Sequence, residues 1–247
     1  ALREARLDRV RLSPADSLSA AVTPTDGGGY AVSVRGARFD ARRVFATEAG
    51  LGTGSPEGSG GGPPIRLEAS IDGVLCADGL VLEDLAIDGA ARRGRLVELD
   101  LAGRLVGRDG PSRVTVGLTP VGPEVRKLNA RSADVGALLR FIGVYDRVRG
   151  GTGALDAAIR PSGEMDGALT IEDFGIDDEP TLEEIIARSA DRIAEIGGDD
   201  PRPLAFQRGG DRAERPGTRF ERLSIEFVRR GSAVRLTDAV LSGPVVG

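Results

Sequence analysis

At 247 residues the chain is long enough to bury a substantial core. It has no histidine and a single cysteine, Cys76, which excludes Ser-His-Asp and Cys-His catalytic units, imidazole metal sites, intramolecular disulfides and thiolate zinc sites. A net charge of −5 argues against a nucleic-acid partner, and two Tyr, seven Phe and no Trp leave few platforms on which bases or sugars could stack.

Lys127 is the only lysine among many arginines, a bias that codon usage explains. Cys76 reads as a small buried hydrophobe, since no histidine is present to activate it. No apolar run is long enough to span a membrane. The opening "ALREARLDRVRL" lacks a start Met and a signal core, and with the abrupt finish "LSGPVVG" it suggests a segment of a longer protein.

In chain order, residues 1–47 read as strands, among them "YAVSV" with Tyr30, Val32 and Val34 on one face. Residues 48–64, rich in Gly, Ser and Pro, read as a flexible connector and a candidate subdomain boundary. Beyond it, "IRLEASID" alternates Ile65, Leu67, Ala69 and Ile71 with Arg66, Glu68, Ser70 and Asp72. The same period of two places Val97, Leu99, Leu101 and Leu105 together, then Val114, Val116 and Leu118, then Leu155, Ala157 and Ile159, then Leu169 and Ile171, and last Leu223, Ile225 and Phe227. One oily and one wet face predict antiparallel sheet with a solvated back. Asp-Gly pairs at 26, 72, 78, 88, 109 and 166 suit tight turns between strands. The pattern changes phase between Leu82 and Leu85 and between Phe220 and Leu223, which predicts bulges and a curved sheet.

Two segments have helical spacing. The first, over 132–147, carries Val135, Leu138, Leu139, Ile142 and Tyr145 on one stripe, with Ser132 as N-cap. The second, over 180–196, has Thr181 and Glu184 at capping-box spacing and Gly197 at its end. A polar, turn-rich insertion follows over 197–217. The acidic cluster Glu172, Asp173, Asp177, Asp178 and Glu179 lacks the register of a calcium loop and reads as negative charge at a helix N-terminus. The glycine runs lack both Walker and dinucleotide spacing and read as turns. No arrangement supplies a nucleophile, a base and an orienting group, so neither catalysis nor a cofactor is expected.

"SADVGALLRFIGVYDRVRGGTGALDAAI" resembles the signature of AsmA-like envelope proteins of Gram-negative bacteria, nearest the YhdP branch. There a helix ending in Gly-x-Tyr-Asp-Arg, here Gly143, Tyr145, Asp146 and Arg147, is followed by Gly-Gly, here Gly150 and Gly151, and a strand. "GALTIEDFGIDDEPTLEEII" is similar to the family's strand, Asp-Phe turn and Pro-initiated helix, and "FERLSIEFVRRGSAVRLTDAVLSGPVVG" to its closing hairpin. "VRGARFDARRVF" is also similar, and the likeness extends over roughly residues 30–247.

The resemblance implies a curved β-groove anchored in the inner membrane through sequence outside this segment and reaching across the periplasm. It further implies phospholipid acyl chains as ligands, outer-membrane or periplasmic proteins as partners, and a part in the outer-membrane barrier. The expected lining is Ile65, Leu67, Ile71, Val97, Leu99, Leu101, Val114, Val116, Leu118, Leu155, Ile159, Leu169, Ile171, Ile225 and Phe227, with the first helix closing or plugging the trough. A head group would stay in water at the open side. The rival reading is an envelope module whose apolar face is only a core covered by the two helices.

Overall fold

The computed structural model describes residues 4–11, 13–42, 62–75, 79–107, 110–122, 124–141, 145–177, 218–231 and 233–244. The strands are β1 (Ala5–Val10), β2 (Ser17–Pro24), β3 (Tyr30–Asp40), β4 (Ile65–Leu75), β5 (Val81–Arg92), β6 (Arg95–Gly107), β7 (Gly110–Pro120) and β8 (Arg126–Ser132). Helix α1 (Val135–Phe141) precedes β9 (Val148–Ile159), β10 (Met165–Ile176), β11 (Thr218–Arg230) and β12 (Ala233–Pro244). All twelve strands form one sheet in sequence order. The sheet is not closed into a barrel.

The period-two segments are strands as expected, but the sheet is mixed rather than purely antiparallel. β3 and β4 run parallel, from Tyr30 opposite Ile65 to Asp40 opposite Leu75. A parallel neighbour requires a long return path, and residues 41–64 supply its length. Strands on either side of that connector therefore share one sheet. Its residues 43–61, Cys76, the 180–196 helix and the 197–217 insertion lie outside the described residues.

Only some of the Asp-Gly pairs make turns. Asp72-Gly73, Asp88-Gly89 and Asp166-Gly167 lie inside β4, β5 and β10. In β10 the missing side chain makes room: a Cβ on Gly167 would lie 2.5 Å from Ala157 Cβ. The β5–β6 hairpin instead turns on Arg93 and Gly94, with φ of 53° and 71°, the two positive angles of a type I′ turn.

Both expected phase changes are present. In β5 the buried positions step from Leu82 to Leu85 across Asp84 (φ 51°), with a register shift between Glu83 and Ala86. β4 makes the same three-residue step from Ile71 to Val74, paired to Leu85 and Leu82. On the other side, β10 steps from Ile171 to Phe174 across Asp173 (φ 53°), and paired β11 steps from Leu223 to Phe220. Opposite them, Gly150 and Gly151 of β9 take φ of 61° and 84°. The irregularities are thus aligned across neighbouring strands, and each bends its strand at the same level.

α1 is shorter than the 132–147 expectation. Its N-cap is Asp134, whose Oδ1 accepts from Ala137 N at 2.8 Å, while Ser132 Oγ braces Asp134 by accepting from its N (3.2 Å) and donating to its carbonyl (2.8 Å). The helix seats closely on β9: a Cβ on Gly136 would lie 2.3 Å from the Val148 carbonyl oxygen, and one on Gly153 2.1 Å from Val135 Cγ2. It joins two clusters. Ala137, Phe141 and Leu138 pack with Leu18, Ile71, Val74, Leu82, Leu105 and Val114 of β2 to β7. Val135 and Leu139 pack with Val148, Ile171, Phe174 and Phe220 of β9 to β11, where the Phe174 and Phe220 rings stack 5.4 Å apart. Ile142 lies outside the described residues, and Tyr145, expected on the helical stripe, stands beyond the helix and is exposed.

Candidate apolar trough

Paired residues on neighbouring strands share a face, so the register shows what crosses the sheet. One row runs Leu7, Ala20, Val34, Ala69, Ile87, Leu101, Val116, Ala130, Leu155, Leu169, Ile225, Ala239, one residue from each strand and none polar. A second, two residues along each strand and three along β12, where the register shifts, runs Ala5, Val22, Val32, Leu67, Gly89, Leu99, Leu118, Leu128, Ala157, Gly167, Phe227, Leu236. At the usual strand spacing each row is about 50 Å long. Between them on the opposite face runs a polar row with Glu68, Asp88, Asp100, Asn129, Asp156, Glu226 and Asp238.

Apart from Val97, the expected lining residues fall on the apolar face, but they are not equally covered. Ile71, Val114, Leu118 and Ile171 are buried; Leu67, Val97, Leu99, Leu101, Val116, Leu155, Ile159, Leu169, Ile225 and Phe227 are half-buried; Ile65 is exposed. Val97 sits where the β5–β6 register shifts. The buried set lies mainly along the margin carrying α1, where Leu105 is 0% and Phe174 2% exposed. The helix flanks the two long rows rather than standing across either edge strand.

At the opposite margin, formed by the β5–β6 and β9–β10 turns, the sheet bends toward its apolar face. Arg95, at the start of β6, donates to the carbonyl of Pro161 in the β9–β10 turn, although β7 and β8 lie between. A flat sheet would put those turns about 14 Å apart at the usual strand spacing. Arg126 lies on the apolar face, two residues before Leu128 and paired with Ile159, and donates across to the carbonyl of Leu96. Partial burial and the nearby Arg95 guanidinium push Arg126 below the ordinary arginine range. Arg126 was not anticipated, although alternation in "RKLNARS" carries it onto the face of Leu128 and Ala130.

The polar face is laced by ion pairs: Arg104 with Glu83 (2.9 Å) and Asp84 (3.0 Å), Arg131 with Asp156 (3.1 Å), and Arg149 with Asp177. Of the acidic cluster, Glu172 lies opposite Arg222 and Asp173 makes the bend in β10, while Asp178 and Glu179 lie outside the described residues. A shallow depression around Gly117 is edged by Asp88, Asp100, Asn129 and Arg131. Among the described residues no group of His, Cys, Asp or Glu is arranged to hold a metal, and no helix is long and apolar enough to cross a membrane. Compared with known proteins, the chain matches no family model, no curated protein and no solved structure.

Proposed function

We propose that this chain is a non-catalytic segment of a lipid-conducting trough of the AsmA-like kind, placed in the periplasm and anchored at the inner membrane through other sequence. The observation that carries the reading is the pair of apolar rows running from β1 to β12 without a polar side chain, many of whose residues are only half-buried. An acyl chain laid along them keeps its methylenes from water, each worth about 0.8 kcal/mol. Because the rows are Leu, Val, Ile, Ala and Gly with Phe227 near one end, the free energy varies little from strand to strand, and uniformity lets a chain slide. A charge within the rows would trap it.

The fully packed α1 margin favours a second reading for that half of the sheet, an envelope module filled by its own side chains. Native mass spectrometry and lipid extraction of the purified protein separate the two. The trough predicts co-purifying phospholipid, and repeated lipid-free preparations support the module. Leu99→Asp and Leu169→Asp each place a carboxylate in a row and should abolish lipid retention while the circular dichroism spectrum stays that of a β-sheet protein.

A further inference from the structure

The arginines of the turn margin divide into two kinds. Arg160 lies 2.7 Å from Asp166, and Arg230 donates to Glu164 at 2.8 Å. Arg95 and Arg126 have no carboxylate partner among the described residues; each is held by a main-chain carbonyl, of Pro161 and Leu96 respectively. The two guanidiniums are close enough to repel one another. Arg229, on the apolar-face row that runs from Arg126 through Ile159 and Met165, donates to the carbonyl of Gly231 and likewise lacks an acidic partner among the described residues. On a chain of net charge −5 this is a local concentration of uncompensated positive charge. Arg126 and Arg229 lie on the apolar face beside the rows, and Arg95, paired with Arg92 at the β5–β6 hairpin, reaches the Pro161 carbonyl from the turn edge.

Two like charges held together, Arg126 half-buried and Arg95 exposed, repel one another unless something negative joins them. A carbonyl occupies one edge of a guanidinium and leaves its other N–H donors free for an oxyanion. We propose that Arg95 and Arg126 form a site for the anionic head group, phosphate or carboxylate, of an amphiphile whose tail lies along the Leu99, Leu118 and Leu128 row. The site rests on the trough reading and gives it a substrate class: amphiphiles with a compact anionic head are favoured over those with an uncharged one.

The test is calorimetric titration with dodecyl phosphate, dodecyl maltoside and inorganic phosphate, each amphiphile below its micelle concentration. The wild-type chain should bind dodecyl phosphate about tenfold more tightly than dodecyl maltoside, the size of a charge-assisted contact. Arg95→Gln/Arg126→Gln, which keeps a donor for each carbonyl but removes the charges, should bind both alike. Arg95→Lys/Arg126→Lys should keep most of the preference, and all three proteins should melt at similar temperatures. If the Gln variant keeps the wild-type preference, or the wild type has none while still binding both amphiphiles, the arginines are only staples across the bend: the site is overturned and the trough stands. If inorganic phosphate binds as tightly as dodecyl phosphate, the site is a bare anion site and the amphiphile assignment is overturned. If neither amphiphile binds any of the proteins, the trough itself is overturned and the site with it.

Discussion

The same apolar face is built two ways along its two margins. At the α1 margin, Leu105, Val114, Phe174 and Phe220 are almost fully enclosed, strands bend at aligned irregularities, and a glycine on each side of the contact lets helix and sheet approach closely. At the turn margin, Ile65 and Leu96 are exposed, and most residues between the margins are half-buried, Leu118 and Ala157 being enclosed. Alternation of the sequence is equally clean in both. What separates them is whether a second layer lies on top, and only the α1 margin has one among the described residues. A continuous apolar face is thus a core at one side and an accessible surface at the other.

This contrast predicts unequal costs for equivalent substitutions. Leu105→Ala and Phe174→Ala should each cost about 3–5 kcal/mol in urea unfolding, as deletions in enclosed sites do. Leu67→Ala, on a half-exposed stretch of the rows, should cost about 1 kcal/mol or less because little burial is lost. Equal costs would mean that the rows are as packed as the core. Gly136→Ala forces a methyl against the Val148 carbonyl, which cannot turn aside, and should cost about 1–3 kcal/mol with faster amide exchange through 135–141. Gly117→Ala, on the open polar face, meets nothing within 4 Å and should leave the melting temperature unchanged or slightly raised. Asp134→Ala removes the helix cap and should cost about 1 kcal/mol. Smallest of all, Arg104→Ala breaks an exposed ion pair with Glu83 and should not measurably change the urea midpoint at any salt concentration.

Strands with strict alternation were legible in the sequence because each residue reports its own face. The bends at Asp84 and Asp173 were legible as phase changes for the same reason. Features set by distant partners were not. The parallel pairing of β3 with β4 depends on the path of the intervening chain, not on any residue in either strand. Asp-Gly serves equally as a turn and as a gap in a packed row, so Asp88-Gly89 opposite Leu99 carries the same local signal as a true turn. Tyr145 fits the helical stripe in the sequence, although it stands outside the helix and is exposed. The alternation that marks the candidate site is local, each residue reporting its own side of its strand. The difference in cover along the site was not legible, since periodicity records orientation and not what lies above.

The central claim is that the half-covered rows accept a hydrocarbon chain. A fatty acid carrying a photoreactive diazirine on its tail, incubated with the protein and mapped by mass spectrometry after illumination, tests it directly. The account predicts labelling at Leu67, Leu99, Leu101 and Leu155, with none at Glu68, Asp100 and Asp156 on the polar face and none at enclosed Leu105. Labelling confined to the edge strand β12, or spread equally over both faces, would contradict it.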